Sequence, residues 1–546
     1  MWFPSTPDER AERLPEIRSE ALGSVAIMSQ VGGSPAPGGA AGDTTGGSDS
    51  AGGGAAIRGQ AVRGFAWAAI SFGGNKLLVF LSTLVLTRLL APSDFGVVAA
   101  GLTFIAYLEV TLDLGMSSAI IYQQERGHTR TVHVAFSINA VACLLLAAVN
   151  LLLAPAIAGF FRVPDFADVF RALSVYILLR GLGALQDALL ERDLRFRQKA
   201  AAELTRALVR GGLGVGLALA GLGVWALIWA FLVAEVAGTG LTWVQTRYRP
   251  RLVFDRVLAR PLFRFGGPVV ALNLLSELGT NSDYLVVGHV LGSTALGLYT
   301  IAYRLPELLL SNVYWIFSSV AFPVFSQARS NSWKLFRTSM LRALRLITLF
   351  GFPVSVGLAL VSRDAVTVLF SEKWAGAGTP MALLSLAIGL AAVGYGSGDI
   401  YKAAGRPGTL LAVNTVGAVV VLPCFVLAAS RGLVVVAAVH LVYNFVYGVL
   451  RLVLANRLVG TTVRDILVAL RPAVGLAAGI ALVALPVRLL VPPGPVALPA
   501  IIGAGLVGTA VGLVLAGRST LVDLRQLAGD LGRRGGTAGP GTQAAG

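Results

Sequence analysis

Charge is scarce in this chain. Of its 546 residues only 13% are Asp, Glu, Lys or Arg, whereas 55% are hydrophobic, and the mean hydropathy is +0.75. A water-soluble domain carries about a quarter charged residues, so this composition excludes a soluble globular protein. The sequence therefore predicts an all-α integral membrane protein.

Cysteine is nearly absent as well. The chain has only Cys143 and Cys424, each inside an apolar segment and far apart in the sequence. Two isolated cysteines supply neither a disulfide framework nor the spacing of a metal site. We therefore interpret both as small buried hydrophobic residues, and we expect no metal site and no resident cofactor.

Polar composition is concentrated at the two ends of the chain. Residues 1–58 include a stretch, Gly32–Gly54, that is mostly Gly, Ala, Ser, Thr and Pro. Such a segment cannot bury a core, so we expect a disordered cytoplasmic tail without a signal-peptide core. Met28 is an alternative translation start to Met1. Residues 517–546 are expected to form a cytoplasmic C-terminal tail.

Between these ends, apolar segments of about 20 residues, the length that spans a bilayer, recur along the chain. We predict fourteen membrane helices, near 64–86, 96–121, 132–157, 168–190, 200–221, 223–246, 265–291, 297–323, 341–362, 380–401, 408–430, 432–456, 470–490 and 497–516. A basic cytoplasmic linker, 247–264, separates the sixth helix from the seventh.

The basic residues alternate between the loops. The loops after even-numbered helices hold 22 Lys and Arg residues, whereas the alternate loops hold 6. Basic loops face the cytoplasm, so both termini are predicted to be cytoplasmic, in a multi-pass protein of the bacterial cytoplasmic membrane. The basic residues that give the net charge of +16 then lie along one face of the membrane. This indicates membrane lipids as partners and no nucleic acid.

A short motif occurs twice. Leu86–Gly96 reads LTRLLAPSDFG, and 201 residues later Val287–Gly297 reads VGHVLGSTALG, with Gly96 aligned on Gly297. Each unit holds six helices, an even number, so the two units enter the membrane in the same direction. The pattern predicts two parallel lobes around a central cavity, the N-lobe at 64–246 and the C-lobe at 265–457. Helices at 470–516 lie outside the repeat.

Five segments resemble the polysaccharide-transport branch of the MOP exporter superfamily, the Wzx-like lipid-linked oligosaccharide flippases. They are Arg88–Gly96, Leu189–Arg197, Gly223–Ala230, Tyr303–Ser326 and Phe370–Ala387, spread over nearly the whole membrane domain. The resemblance implies a fourteen-helix protein with two six-helix lobes around a cavity. It also implies alternating access that moves an undecaprenyl-pyrophosphate-linked oligosaccharide to the outer leaflet. Polysaccharide polymerases and glycosyltransferases are the protein partners that it implies.

Ionisable residues inside the membrane are costly and are therefore candidates for the transport site. We assign Lys76, Arg180 and Arg304 to the pyrophosphate, because a diphosphate needs cationic donors. The acids Glu109, Asp113 and Glu277 are assigned to a coupling ion, H⁺ or Na⁺, or to resetting the empty cavity. Further polar residues expected in the cavity are Asn75, Asn273, Asn281, Glu307, His440 and Asn444. The alternative is that these charges pair across helices and only fix the packing.

Three other functions compete with this interpretation. A MATE-like drug or cation antiporter and a lipid II flippase belong to the same superfamily. A glycan polymerase or ligase would need a substantial extracytoplasmic loop, and the longest one, 363–379, has no catalytic constellation. No Gly-rich phosphate loop, HExxH or GxSxG appears in a context that would indicate catalysis. We therefore expect a transporter with no catalytic residues.

Overall fold

The computed structural model describes residues 73–112, 128–492 and 494–517. Every regular element within these ranges is helical. The predicted N-terminal tail, Asp113 and nearly all of the predicted C-terminal tail lie outside the described residues.

Six helices form the N-lobe. They are α1, described over 73–89, α2 (Pro92–Leu112), α3 (His128–Phe160), α4 (Ala167–Arg192), α5 (Phe196–Leu219) and α6 (Val224–Thr246). Helix α3 packs on α4, α5 packs on α6, and α4 contacts α6. These contacts join α3, α4, α5 and α6 into one unit.

The C-lobe begins with residues Arg256–Pro306, which are helical except at Gly292. The φ of 83° and ψ of −179° at Gly292 divide this run into two helices, α7 before it and α8 after it. Helix α8 continues through a π-helical turn, Glu307–Ser311, into Asn312–Asn331. The remaining helices are α9 (Trp333–Ala365), α10 (Gly378–Tyr395, continued by Ser397–Ala403), α11 (Pro407–Ala429), α12 (Leu433–Val459), α13 (Val463–Leu490) and α14 (Ala497–Ala516).

Helices α13 and α14 form a hairpin that packs on α9. A buried ion pair holds it there, with Arg488 Nη1 3.4 Å from Asp364 Oδ2. The other oxygen of Asp364 accepts a hydrogen bond from the Gly494 N–H at 3.1 Å. The two helices outside the sequence repeat are therefore attached to the C-lobe.

Eleven stretches among the described residues are long and apolar enough to cross a membrane. One of them, Asn273–Asn331, is 59 residues long and contains the break at Gly292, so it covers parts of two predicted helices. Helix α5, which carries several charged residues, is not one of the eleven, and α1 is described only in part. The multi-pass helical fold is confirmed, while the count of fourteen stays a prediction.

The first repeat motif starts helix α2. Pro92 is its first residue, where a missing N–H costs nothing, and Asp94 Oδ2 accepts a hydrogen bond from the Ala91 N–H at 3.0 Å. Asp94 thus caps the helix from its third position. Ala91 corresponds to Gly292 in the repeat, so both motifs break the chain at the same place.

The two repeat motifs pack against each other where the lobes meet. A Cβ atom built on Gly96 would lie 1.7 Å from the carbonyl oxygen of Ser293, and one on Gly297 would lie 1.9 Å from that of Pro92. Gly96 corresponds to Gly297 and Pro92 to Ser293, so the contact has approximate two-fold symmetry. We call it the glycine crossing. It joins the lobes backbone to backbone at the end that carries few basic residues.

Hydrogen bonds to the segment after α9 surround the glycine crossing. Trp374, fully buried, donates from Nε1 to the Thr87 carbonyl at 2.8 Å. Arg88 donates to the Val368 carbonyl at 3.1 Å, and Lys373 donates to the Arg88 carbonyl at 3.0 Å. The C-lobe therefore donates hydrogen bonds to the carbonyls at the C-terminal end of α1, which have no N–H partners within the helix.

A group of charged residues, of which Arg206 and Glu235 are buried, lies inside the N-lobe, and we call it the ionic network. It consists of Glu109, Arg180, Asp187, Glu203, Arg206 and Glu235. The side chain of Arg206 is 4% exposed, and its guanidinium lies 3.2 Å from Glu203, 3.4 Å from Glu235 and 3.6 Å from Asp187. Two guanidinium groups from α4 and α5 are thus surrounded by carboxylates from α2, α4, α5 and α6.

Replacing Gly96 by leucine should open the end of the molecule that the glycine crossing closes. The leucine overpacks the closed form, which costs ~1–3 kcal/mol. This is enough to raise the population of the open form about tenfold. The readout is Leu296→Cys, a fully buried position beside the crossing, introduced into a Cys143→Ala, Cys424→Ala background. A membrane-impermeant maleimide should label this cysteine faster in the Gly96→Leu protein.

Gly159→Leu is the matched control, because Gly159 is exposed at the same end and a Cβ there meets nothing within 4 Å. It should leave the labelling rate unchanged. Equal labelling in the Gly96→Leu protein and the control would show that the crossing does not close this end.

Replacing Glu235 by glutamine should destabilise the N-lobe. Glu235 is 1% exposed and contacts both Arg206 and Arg180, and removing one partner of a buried pair costs ~3 kcal/mol. The midpoint of thermal unfolding in detergent should fall by several degrees. Asp168→Asn, which breaks an exposed pair with Arg171, should leave it unchanged. Equal midpoints for the two variants would mean that the ionic network does not stabilise the lobe.

Candidate functional site

A cavity of about 430 Å³ lies mainly within the N-lobe. Helices α2, α4 and α5 line most of it, and α7 contributes Glu277 from the C-lobe. Its charged lining consists of five carboxylates and two basic residues, namely Glu109, Asp187, Glu191, Glu203 and Glu277 with Arg180 and Lys199. Glu191 and Lys199 flank the basic loop between α4 and α5, so the cavity reaches the basic end of the molecule.

Two of the predicted pyrophosphate residues converge on one carboxylate. Lys76 Nζ, from α1, lies 3.1 Å from Glu307 Oε1, and Arg304 Nη1, from α8, lies 3.9 Å from Glu307 Oε2. The three side chains are 36%, 31% and 42% exposed, in the order Lys76, Arg304, Glu307. This cationic pair, as we call Lys76 and Arg304, combines one residue from each lobe and remains accessible to a ligand.

The third predicted pyrophosphate residue has a different environment. Arg180 lies 3.5 Å from Asp187, 3.8 Å from Glu235 and 3.9 Å from Glu109. Three carboxylates already balance its charge. Its assignment to pyrophosphate stays a prediction, and the geometry favours the cationic pair.

The predicted coupling acids line the cavity where they are described. Glu109 and Glu277 both do so, from different lobes, while Asp113 lies outside the described residues. Asn281 donates to Glu277 at 2.5 Å, as expected for residues four apart on one helix. Asn273, predicted on the same face, is exposed.

The other predicted polar residues are distributed over both lobes. Asn75, next to Lys76, lies 3.5 Å from the carboxylate of Glu203, a cavity residue. His440 lies 3.1 Å from the hydroxyl of Tyr303, and Asn444 donates to the His440 carbonyl at 3.0 Å. The first of these contacts connects α1 to the cavity, whereas the other two lie within the C-lobe.

The sequence analysis missed Asp283. This residue is 1% exposed, and its Oδ2 accepts hydrogen bonds from the hydroxyls of Tyr299 and Tyr303, both at 2.9 Å, with His440 Nδ1 at 3.7 Å. The signal was present, since an Asp inside a predicted membrane helix qualifies as a candidate by its position alone.

Glu235, Asp187, Glu203 and Arg206 were not among the predicted site residues either. The structure places these residues in the ionic network, with Arg206 among the buried residues. Burial of an arginine depends on which helices cover it, and that is not a local property of the sequence.

The site therefore offers two chemically different regions. The cationic pair suits an anionic group held between the lobes, and the acid-rich cavity suits cations. Both regions lie on surfaces contributed by the two lobes together.

Comparison with known proteins agrees with this architecture. A family model described as "Polysaccharide biosynthesis protein" matches residues 85–378, more than half of the chain. The succinoglycan biosynthesis transport protein ExoT of Rhizobium meliloti is 29% identical over 60% of this chain and 66% of its own length, slightly less than two thirds. The teichuronic acid biosynthesis protein TuaB of Bacillus subtilis is 24% identical over 64% of this chain and 72% of its own length. The lipopolysaccharide biosynthesis protein WzxC of Escherichia coli is 26% identical over 68% and 76%.

Solved structures show the same fold. The lipid II flippase MurJ in an inward closed conformation matches with a TM-score of 0.69 and 16% identity, covering 84% of this chain and 99% of its own. A MATE-family multidrug transporter in an inward-facing conformation matches with a TM-score of 0.59 and 17% identity, covering 72% and 98%. The two-lobe fold and the expectation of a transporter rather than an enzyme are confirmed. With a family model that matches more than half of its length, the chain belongs to the polysaccharide biosynthesis protein family.

Proposed function

We propose that this protein moves an oligosaccharide linked to undecaprenyl pyrophosphate from the inner to the outer leaflet of the cytoplasmic membrane. The observation that carries the proposal is the cationic pair, in which Lys76 and Arg304 from opposite lobes meet at a single carboxylate. A pyrophosphate needs cationic donors, and a guanidinium can hold two of its oxygens. The relatives named for the biosynthesis of succinoglycan, teichuronic acid and lipopolysaccharide support this substrate class.

The proposed transport mechanism is alternating access. The glycine crossing closes one end, while the cavity extends to the basic loop at the other. Basic loops face the cytoplasm, so this arrangement would load substrate from the inner leaflet. Opening of the crossing would then release it outside. The glycosyltransferases that build the oligosaccharide and the polymerase that extends it are the proposed partners before and after this step.

A second candidate function is supported by the charge of the cavity. Its five carboxylates against two basic residues favour a cation, as a drug or cation antiporter would carry. We assign the acids instead to a coupling ion, H⁺ or Na⁺, because the cationic pair needs an anionic ligand that a cationic drug cannot supply. A lipid II flippase shares the fold, and its substrate also contains a pyrophosphate, so only a transport assay separates it from the main proposal.

Transport can be measured in proteoliposomes by the accessibility of the glycan to an impermeant lectin. The assay compares an undecaprenyl-pyrophosphate-linked oligosaccharide, lipid II and a cationic dye, each with an imposed pH or Na⁺ gradient. We expect only the oligosaccharide to move. Movement of the dye alone would establish the antiporter, and movement of lipid II alone would establish the lipid II flippase.

Lys76→Ala and Arg304→Ala should each reduce transport of the oligosaccharide by about tenfold or more, since each removes a charged hydrogen-bond donor to the pyrophosphate. Lys76→Arg, which keeps the charge, should retain part of the activity. Lys334→Ala, an exposed residue at the start of α9, is the control and should behave as wild type. Wild-type rates in both alanine variants would contradict the pyrophosphate assignment.

Glu109→Gln and Glu277→Gln should abolish the acceleration of transport by an ion gradient. Each variant removes a cavity carboxylate that could carry the coupling ion, while the cationic pair stays intact. Exchange of substrate without a gradient should persist. If both variants respond to the gradient as the wild type does, the coupling site lies elsewhere, for example at Asp113.

A further inference from the structure

Glu307 occupies an unusual position between the lobes. It opens the π-helical turn of α8 directly after Pro306, and its two carboxylate oxygens face different cations, Lys76 on one side and Arg304 on the other. Lys76 belongs to the N-lobe, so this single carboxylate joins α1 to α8. π-Helical turns insert an extra residue and are frequent at functional sites.

We propose that the Glu307 carboxylate is an internal stand-in for the pyrophosphate: it occupies the cationic pair while the site is empty, and the entering diphosphate displaces it. This inference rests on the proposed function and assigns a specificity-determining role to a residue within that site. Displacement would also break the ion pair between the lobes, so substrate binding and release of the lobes would be one event.

The exposure of the three side chains makes such an exchange feasible. None of them is buried, since between 31% and 42% of each is exposed. The ion pair therefore remains partly hydrated, and pairs of this kind are weak, up to ~1 kcal/mol. The pair of Arg206 and Glu235 contrasts with this, because Arg206 is 4% exposed and Glu235 only 1%.

Arg304 has unused binding capacity. Its Nε is buried and has no hydrogen-bond partner among the described residues, and the contact of its Nη1 with Glu307, at 3.9 Å, is longer than a hydrogen bond. A buried donor without a partner is costly. A phosphate oxygen would satisfy it better than the carboxylate does, because phosphate presents more acceptor atoms to a guanidinium fork.

The same geometry favours a diphosphate over a monophosphate. Glu307 holds the two cations with one oxygen each, and a ligand must replace both contacts to release it. A diphosphate can place one phosphate on Lys76 and the other on Arg304, whereas a monophosphate replaces one contact and leaves the carboxylate beside it as a repelling charge. Glu307 therefore acts as a filter for the pyrophosphate form of the lipid carrier.

Binding to the purified full-length protein in detergent tests this inference. The probes are farnesyl pyrophosphate, farnesyl phosphate and inorganic pyrophosphate, measured by calorimetry against wild type and Glu307→Gln. The variant should bind farnesyl pyrophosphate about fivefold more tightly, the factor that corresponds to the ~1 kcal/mol of a half-exposed ion pair. The ratio of its affinities for farnesyl pyrophosphate and farnesyl phosphate should be smaller than in wild type. Asp193→Asn, which removes one exposed carboxylate far along the chain, should change neither quantity.

The outcomes separate the two proposals. If wild type binds farnesyl pyrophosphate but Glu307→Gln binds it no more tightly, the stand-in role is wrong and the proposed function stands. If neither protein binds it, both proposals fail. Inorganic pyrophosphate should compete with farnesyl pyrophosphate, because recognition is of the headgroup. Binding of the farnesyl lipid without such competition would show recognition of the tail and would overturn the inference.

Discussion

A guanidinium inside a bundle of apolar helices requires carboxylates around it, because removing a charge from water without a partner costs several kcal/mol. Arg206 illustrates this constraint, since Asp187, Glu203 and Glu235 reach it from three different helices. The arrangement of α4, α5 and α6 follows from where these partners must lie. Asp364 and Arg488 impose the same requirement on the C-terminal hairpin.

The two groups of charges in this molecule differ in the number of carboxylates around each cation. Arg180 has three carboxylates within 4 Å, so it is already neutralised and changes little when a ligand arrives. Lys76 and Arg304 both contact the carboxylate of Glu307, and their side chains are partly exposed. A binding site for an anion needs cations whose existing partners can be replaced at low cost, and the cationic pair meets that condition.

Much of the architecture could be predicted from the sequence, because apolar length and turn chemistry are local. The repeated motif gave the turn before α2 and the relation of α2 to α8, although the predicted helix begins near 96 and α2 begins at Pro92. Contacts between residues far apart in the sequence could not be predicted in this way. Lys76 and Glu307 were both candidates, but nothing local pairs residues 231 positions apart. Glu235 and Asp283 needed only the rule that ionisable residues inside membrane helices are costly, whereas the burial of Arg206 needed the tertiary structure.

The glycine crossing also determines how large the free-energy difference is between the closed form of the molecule and the form open at the crossing. Its closest approaches at Gly96 and Gly297 are to backbone atoms, so few side chains regain rotamer freedom when it separates. The closed and open forms can exchange only if they differ by a few kcal/mol, which is the scale of the ~1–3 kcal/mol that overpacking at Gly96 would cost. A ligand that binds the open form ~100-fold more tightly supplies about 2.7 kcal/mol, enough to reverse the balance without an external energy source.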